Sequence, residues 1–394
     1  MYRQLKYLIP QIRICRDDVM EIMMKDLGEI ITGNTPSKKN EEFWNSGDIC
    51  FVKPDIISDN GVNQIFESNE YISERARKKA RIVSKDSIFV TCIGSIGKIG
   101  IALEGEYAFN QQINVIVPND KVVPKYLAYN LLYNKPRLAL IANAPVVPII
   151  NKSQFGDFTI NIDSDKNKQS EIAYVLDKLT HIIKLRNDEL SALDDLIKAR
   201  FVEMFGDPII NSFGIETKPM TDVCEIIDGD RGKNYPTADE FSDKGYCLFL
   251  NAKNVTSTGF NFDTCMFVTK EKDEVLRKGK LSRGDVVLTT RGTLGNLAFY
   301  TKAIPFEHVR INSGMVILRM KQDVVNEVYF IEQFKMQLAD IREKNASGSA
   351  QPQLPISTMN KINILIPDIE KQRQFADFVH QVDKSKFAVM WSYL

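Results

Sequence analysis

The sequence predicts an α+β fold in which two similar domains, each a mixed β-sheet with helices, alternate with two long antiparallel coiled-coil helices. Three observations predict this arrangement. The second half of the 394-residue chain repeats the first at an offset that drifts from 196 to about 204 residues. Short β-branched and aromatic runs recur at matched places in both halves. One apolar heptad pattern continues for about 40 residues, which is typical of a long helix packed on another helix.

The repeat is clearest in the globular stretches. The matched segments of the first and second copies are 27–33 and 223–229, 51–56 and 250–255, 86–91 and 285–290, and 94–98 and 292–296. Compact β-branched and aromatic runs predict strands at 86–91, 114–117, 285–290 and 314–318. Helices are predicted at 125–133 and 327–342. A period of about 200 residues is too long for a solenoid and indicates a tandem duplication.

Each copy ends in a segment that begins with a Lys-Gln pair, at Gln169 and at Gln372. In the first copy no Gly or Pro interrupts residues 168–205, so a single helix of roughly 60 Å is expected. The apolar positions expected to pack against another helix are Ile172, Leu176, Leu179, Ile183, Leu190, Leu193 and Ile197, with Phe375, Val379 and Val382 in the second copy. Because a whole domain separates the two helices, we expect them to pair antiparallel.

The domain boundaries follow from the repeat. We predict an N-terminal extension at 1–23, a first domain at 24–165, a central spacer helix at 166–206, a second domain at 207–367 and a distal helix at 368–394. The distal heptad is shorter than the central one, so we expect a truncated helix there.

Charge and cysteine content exclude several classes of protein. Lys plus Arg and Asp plus Glu both number 51, so any contact with nucleic acid must come from a local patch. No apolar run approaches the ~18 residues of a membrane span, and the first residues do not resemble a signal peptide. The six cysteines form no CxxC pair, so neither a disulfide framework nor a zinc ribbon is expected. A reduced, cytoplasmic protein without membrane contact is the simplest interpretation.

A search for catalytic motifs is negative. The three histidines are far apart and no G-x-S-x-G elbow is present. Residues 94–98 contain a Gly-Lys pair, but a P-loop would need other residues at Cys92 and Ile99, so a turn between strands is favoured. Motifs for an adenine methyltransferase or a metal-dependent nuclease are also missing. We therefore expect no catalytic residue, no metal and no cofactor bound by this chain.

One segment carries a dense positive charge. Five cations stand within seven residues at Arg75, Arg77, Lys78, Lys79 and Arg81. The matched place in the second copy holds Arg277, Lys278, Lys280 and Arg283. DNA phosphates are the natural target of such a cluster, although a merely solvated charged face is the alternative.

Polar residues beside the turns are candidates for reading base edges, because Arg, Asn and Gln can pair bidentately with guanine or adenine. The further DNA-binding candidates are Lys38, Lys39, Lys53, Ser95, Lys98, Gln111 and Gln112 in the first copy, and Arg231, Lys233, Asn234, Tyr235, Lys253, Arg291, Thr293, Arg310 and Asn312 in the second. The sequences that flank these loops are similar in the two copies, whereas the loop sequences differ. Two domains that recognise different half-sites would need this pattern. Each residue taken alone is equally compatible with a structural turn.

The ordered set of these segments resembles the DNA-specificity (S) subunit of Type I restriction–modification systems. The resemblance is carried by residues 28–37, 44–56, 94–98, 198–208, 250–255 and 290–296, together with Gln169. It implies two target-recognition domains, separated by two antiparallel helices, that each read one half of a split double-stranded DNA site. It also implies that the helices bind two methylation subunits, which supply S-adenosylmethionine and catalysis. Restriction subunits that use ATP and Mg would join them, whereas the S subunit has no catalytic residue. The residues alone leave open a stand-alone bipartite DNA-binding protein or regulator.

Overall fold

The computed structural model describes residues 19–142, 147–321, 323–346 and 353–391. The chain divides into two compact units, Met1–Arg186 and Asn187–Leu394, which are described separately below. None of the described helices is long and apolar enough to span a bilayer.

The first unit contains eleven strands in the described residues. They are β1 (Val19–Met23), β2 (Gly28–Thr32), β3 (Ile49–Val52), β4 (Val62–Ile65), β5 (Tyr71–Ile72), β6 (Ile82–Ser84), β7 (Ile88–Thr91), β8 (Ile99–Ala102), β9 (Glu106–Phe109), β10 (Ile113–Pro118) and β11 (Thr159–Asp163). Its helices are α1 (Pro124–Tyr133), α2 (Lys135–Leu140), α3 (Lys152–Asp157) and the first part of α4 (Lys166–Phe205). Short 3₁₀ helices occupy Met24–Asp26, Glu41–Phe43 and Glu74–Lys79.

These strands form a five-stranded sheet in the order β2-β10-β7-β8-β4, a four-stranded sheet in the order β5-β3-β9-β6, and the pair β1-β11. The sheets are mixed, since β3 pairs parallel with β9 and β4 with β8. Successive residues of β7 point to opposite faces of the sheet. Ile88 and Val90 join the core beneath α1 and α4, while Phe89 joins the core beneath the second sheet. Burial on both faces explains why β7 is apolar without alternation.

The second unit repeats this plan. Its strands are β12 (Thr217–Pro219), β13 (Cys224–Asp228), β14 (Cys247–Leu250), β15 (Val255–Thr256), β16 (Gly259–Phe260), β17 (Phe267–Val268), β18 (Val286–Thr289), β19 (Leu297–Phe299), β20 (Val309–Ile311), β21 (Met315–Met320) and β22 (Asn363–Leu365). Its helices are the last part of α4, then α5 (Met220–Val223), α6 (Lys270–Val275), α7 (Glu327–Ala346), α8 (Ile356–Met359) and α9 (Ile369–Trp391). A 3₁₀ helix occupies Ala238–Glu240.

The strand order shows the duplication directly. The second unit has a sheet β13-β21-β18-β19, which matches β2-β10-β7-β8 of the first, and a sheet β17-β14-β20, which matches β5-β3-β9. The single parallel pair of the latter sheet, β14 with β20, also has its counterpart in β3 with β9. The strand pair β12-β22 corresponds to β1-β11. The predicted α+β class and tandem repeat are thus confirmed.

A buried glutamine fixes each long helix to its unit. Oε1 of Gln169 accepts a hydrogen bond from the Val123 amide at 2.7 Å, and Nε2 donates to the Asp163 carbonyl at 2.7 Å. Gln372 repeats this in the second unit: Oε1 accepts from the Asn326 amide at 2.9 Å, and Nε2 donates to the Pro367 carbonyl at 2.8 Å. The Lys-Gln pair that marks the repeat therefore has a structural cause, since the glutamine amide both accepts from one backbone group and donates to another.

The predicted long helix is confirmed as the 40-residue α4, and its apolar positions are divided between two cores. Ile172, Leu176 and Leu179 pack into the core of the first unit, which includes helix α1, and not into the core that contains α9. Ile183 and Leu190 are half-buried and belong to neither large core. An apolar heptad shows that one face of a helix is covered, but it does not identify what covers it.

The last part of α4 does pair with α9 in the second unit. Leu193 and Ile197 share one core with the predicted partners Phe375, Val379 and Val382. The order of the contacts shows that the helices are antiparallel. The ring centroids of Phe201 and Phe375 are 5.4 Å apart, Arg200 lies 5.8 Å from the ring of Phe378, and Lys386 Nζ lies 2.6 Å from Asp194 Oδ1.

Candidate nucleic-acid interface

The strand register gathers the candidate loops of the first unit at one end of its five-stranded sheet. Thr32, at the end of β2, pairs with Asn114 of β10, and Thr91, at the end of β7, pairs with Ile113. The loop after β2, the β7–β8 turn and the β9–β10 turn therefore lie side by side. We call this set, residues 33–40, 92–98 and 110–112, the first loop end.

The second unit presents the same arrangement. Asp228, at the end of β13, pairs with Val316 of β21, and Thr289, at the end of β18, pairs with Met315. Residues 229–235, 290–296 and 312–314 therefore form the second loop end.

The β7–β8 turn and its counterpart have one geometry. Thr91 Oγ1 accepts from the Lys98 amide at 3.0 Å, as Thr289 Oγ1 does from the Asn296 amide at 2.9 Å. Gly94 and Gly97, like Gly292 and Gly295, have positive φ, which only glycine adopts freely. The turn predicted from residues 94–98 is confirmed. It leaves Ser95 exposed in one copy, and Arg291 and Thr293 exposed in the other.

The cation cluster is tied to the first loop end and is partly neutralised. Asn34 Nδ2 donates to the Lys79 carbonyl at 2.6 Å, which joins the 3₁₀ helix Glu74–Lys79 to the loop after β2. Arg77 forms ion pairs with Glu74 and Glu106, and these contacts lower the pKa of both carboxyls. Arg75 lies 2.8 Å from Glu42.

Three cations of the cluster are left exposed. Lys78, Lys79 and Arg81 make no ion pair with any residue that the structure describes. The predicted group of five is therefore reduced to three cations that are available to an anionic ligand.

The lysines in the first loop end, and the neighbouring Lys53, differ in their surroundings. Lys38 and Lys53 share the Glu70 carboxylate at 3.0 and 2.6 Å, and the hydrogen bond from Lys53 lowers the pKa of Glu70. Lys98 Nζ donates to the Pro54 carbonyl at 3.1 Å. Lys39 is exposed.

The amides of the first loop end mostly bond within it. Thr35 Oγ1 donates to Gln111 Oε1 at 2.9 Å, and Asn110 Nδ2 donates to Gln112 Oε1 at 2.9 Å. Gln111 keeps an exposed position, whereas Gln112 is half-buried.

The second loop end contains a small cavity with both polar and apolar walls. Its volume is about 240 Å³, and Asp228, Arg231, Thr290 and Arg291 line it. Arg231 Nη2 donates to Asp228 Oδ1 at 3.1 Å and to the Ser313 carbonyl at 3.2 Å. The Asp228 carboxylate thus orients one arginine beside a second, exposed arginine.

Other candidates of the second unit serve the local structure. Asn234 Nδ2 donates to the Val275 carbonyl at 3.2 Å, and the ring of Tyr235 packs edge-on against Phe249. Asn312 Oδ1 accepts from the Gly314 amide at 2.9 Å. Lys233 and Lys253 are exposed.

Arg310 must be removed from the candidate interface. It is only 5% exposed, its Nε bonds the Asp273 carboxylate, and its Nη2 donates to the Asp273 and Leu276 carbonyls at 2.7 and 2.9 Å. Lys280 pairs with the same carboxylate. Burial by itself raises the pKa of Asp273. The hydrogen bonds from Lys280 and Arg310 have the larger combined effect, so the pKa of Asp273 is lower than its usual value. A buried carboxylate needs such partners.

The second cation segment therefore differs from the first. Arg283 stacks on Tyr300 at 4.1 Å and donates to three backbone carbonyls. Arg277 and Lys278 remain exposed. Lys280 and Arg283 are held by their own unit, so Arg277 and Lys278 are the members of this segment with exposed side chains available to an anionic ligand.

Sequence reasoning missed the residue that ties the second cation segment to its loop end. Asp230 Oδ1 and Oδ2 each accept a backbone hydrogen bond at 2.7 Å, from Gly232 and Arg277. These bonds lower the pKa of Asp230. Asp230 stands at the position of Asn34, which binds Lys79 in the first unit. The only signal of this shared contact in the sequence is a polar residue two positions after the end of each five-residue strand, β2 and β13.

The chemistry of the remaining groups does not favour covalent catalysis. Burial raises the pKa of Cys92, Cys224 and Cys247 to about 12, and a thiol with such a pKa is a poor nucleophile. Among the described residues, no group of His, Cys, Asp and Glu is placed to hold a metal ion.

Comparisons with known proteins agree with this geometry. The family described as the Type I restriction modification DNA specificity domain matches the chain twice, over residues 16–194 and 214–390. The chain is 25% identical over 371 residues to the Type I restriction enzyme MjaIX specificity subunit of Methanocaldococcus jannaschii, covering 89% of this chain and 83% of that protein. It is 29% identical over 192 residues to the HindI specificity subunit of Haemophilus influenzae, covering 45% of this chain and 40% of that protein.

The fold is also similar to a solved structure. The crystal structure of the Type-I restriction-modification system S subunit from M. genitalium aligns with a TM-score of 0.55 at 16% identity, over 97% of this chain and 94% of that chain.

Two copies of one scaffold, each with a polar loop end, define a duplicated recognition protein. The chain belongs to the Type I restriction–modification DNA specificity family. It is the specificity subunit of such a system, the non-catalytic subunit that recognises the DNA target.

Proposed function

We propose that each loop end reads one half of a bipartite double-stranded DNA site. The recognition domains would be residues 24–165 and 207–367. One observation carries the proposal: the same three loops meet at the same end of both sheets, while their exposed side chains differ. A common scaffold with different polar loops suits two readers of different sequences.

We assign separate tasks to the exposed cations beside the first loop end and to the arginines of the second loop end. Lys78, Lys79 and Arg81 neutralise phosphates, and so position the domain on the duplex without reading its sequence. Arg231 and Arg291 read base edges, since a guanidinium pairs bidentately with guanine. Lys98 and the paired Lys53 support the loops.

We also propose that α4 and α9 bind two methylation subunits, which carry S-adenosylmethionine and the transfer chemistry. Restriction subunits, which use ATP and Mg, would join this complex. Family membership and the surface of α4 support the proposal. Large apolar side chains are exposed along this helix, at Tyr174, Val175, Ile182, Leu185 and Leu196. These exposed side chains are available for contact with a partner protein.

Selection from a DNA library tests the bipartite proposal. The purified full-length chain, with and without methylation subunits, is incubated with duplexes that contain a long randomised region. We expect enrichment of two short sequence elements separated by a gap of fixed length. Exchange of residues 290–296 for the turn 92–98 should alter one element only. Enrichment of one uninterrupted element, or a change in both elements, would contradict the proposal.

A further inference from the structure

An open groove lies on the first unit between α1, β11 and α4. Its volume is about 410 Å³. Tyr126 and Tyr129 of α1, Ile162 of β11, and Ile172 and Leu176 of α4 form its mostly apolar walls. Val19, the first described residue, lies at its edge.

The duplication identifies the corresponding place in the second unit. The buried glutamines Gln169 and Gln372 are 203 residues apart in the sequence. The first residues of α1 and α7 are separated by the same number of residues. By this offset the groove residues Tyr126, Ile172 and Leu176 correspond to Tyr329, Phe375 and Val379.

The corresponding groove of the second unit is filled. Phe201 and Phe205, at the end of α4, occupy it, with ring centroids 5.4 and 5.0 Å from Tyr329. Their centroids lie 5.4 and 5.7 Å from Phe375. All four rings are fully buried. In the second unit, the groove therefore accommodates the end of a helix through two large apolar side chains that are four positions apart.

We propose that the groove of the first unit receives the segment 1–9 of the same chain, through Leu5, Leu8 and Ile9. These residues lie outside the described part of the structure. The proposal concerns the folding of the first unit and does not depend on how the loop ends bind DNA.

The repeat itself selects this occupant. Met24 and Met220 hold equivalent positions, since the Met24 amide donates to the Phe158 carbonyl at 3.0 Å and the Met220 amide to the Ile362 carbonyl at 2.9 Å. These two methionines are 196 residues apart.

This offset of 196 residues also applies nearer the start of the chain. It aligns Leu5, Leu8 and Ile9 with Phe201, Met204 and Phe205. Spacings of three and four residues place side chains on one face of a helix. Val19, which follows this segment in the chain, lines the same groove. Tyr7 aligns with Glu203, whose side chain is 67% exposed, and provides a control position.

Site-specific photo-cross-linking of the full-length chain tests the proposal. Benzoylphenylalanine is placed at position 5 in one sample and at position 7 in another, and cross-linked peptides are mapped by mass spectrometry after irradiation. We expect position 5 to cross-link within one chain to α1 or to residues 172–176 of α4, and position 7 not to do so. Cross-links between two copies, or no groove cross-link from position 5, would overturn the proposal.

Paired substitutions give a second readout. Leu5→Asp combined with Ile9→Asp should lower the melting temperature by about 4 °C or more, because the apolar contact is lost. Tyr7→Asp should leave it unchanged. Equal effects of the two variants would overturn the proposal. If the double variant fails to fold, the cross-linking of the otherwise unaltered chain decides.

Discussion

Arg231 and Arg291 reach one small cavity of the second loop end, and only Arg231 is held there by a carboxylate. We expect Arg291→Ala to weaken discrimination at one base position of one half-site, by about 1–3 kcal/mol for a lost bidentate contact. Arg291→Lys should not restore it, because a lysine lacks the planar fork of donors.

Competition binding against duplexes varied at each position measures this effect. Lys302→Ala, an exposed cation at the opposite end of the same sheet, provides the control. A uniform loss of affinity for every sequence in the Arg291→Ala variant would show that Arg291 contacts phosphate instead.

Lys78 and Lys79 are expected to act by charge alone. The double variant Lys78→Ala, Lys79→Ala should weaken binding to all sequences alike and reduce the salt slope by about 0.9 for each lost phosphate contact. Binding is measured at several salt concentrations. The control is Lys121→Ala, since Lys121 is exposed beyond the end of β10, away from the first loop end. A changed sequence preference in the double variant would refute the assigned role.

At this scale the sequence predicts the type of residue better than its role. The cluster at residues 75–81 is evident from the sequence. Arg77, however, is neutralised by Glu106, which lies on β9. Arg310 resembles a base reader in the sequence and is bound to a buried carboxylate of α6. Ion-pair partners come from distant elements, so the pattern of one segment does not reveal them.

Among the elements, the long helices depend on their buried glutamines. Gln169→Ala or Gln372→Ala leaves a buried backbone amide and a carbonyl without partners. We expect each to lower the free energy of unfolding by about 1–3 kcal/mol. Denaturant unfolding followed by circular dichroism measures the change. Gln374→Ala, on the exposed face of α9, should have little effect. Equal stability of all three variants would contradict the anchoring role.

Element boundaries were largely predictable because local signals set them. The α4 helix ends at Phe205, because Gly206 follows it directly and Pro208 comes two residues later. The strand expected from residue 86 begins only at Ile88, because Asp86 has a φ of 67° and belongs to a turn. The packing of α4 was less predictable. The same heptad packs into the core of the first unit, with α1, in its first part and into the core of the second unit, with α9, in its last part.

For the whole molecule, α4 is expected to set the distance between the two half-sites. An insertion of four helix-forming residues at Asn187 lengthens a helix by about 6 Å. At 3.4 Å per base pair of duplex, the preferred gap should grow by about two base pairs. Library selection measures the gap, and Asn187→Ala without an insertion is the control. If the insertion leaves the gap unchanged, the helix does not act as a ruler.

The duplication was the most predictable property of the molecule, because glycines, strands and the Lys-Gln pair recur in order. The loop ends could be located from the same pattern, since strand register fixes where the loops meet. Their detailed contacts could not, because each loop builds its own hydrogen bonds. The filled and open grooves were likewise invisible, since Phe201 and Tyr329 are far apart in sequence.

The middle of α4 belongs to neither large core, and this affects how the gene can recombine with related genes. Leu179 is the last residue of α4 in the first core, and Leu193 is the first in the second. A genetic crossover between them severs neither a strand nor a core, so it exchanges one intact reading half for another. The exchange must keep the helical phase, because a shift of one or two residues turns Leu193 and Ile197 away from Phe375 and Val379. Under the proposed function, we expect new target sequences to arise from a single recombination event here, whereas a crossover inside either sheet would divide a packed core.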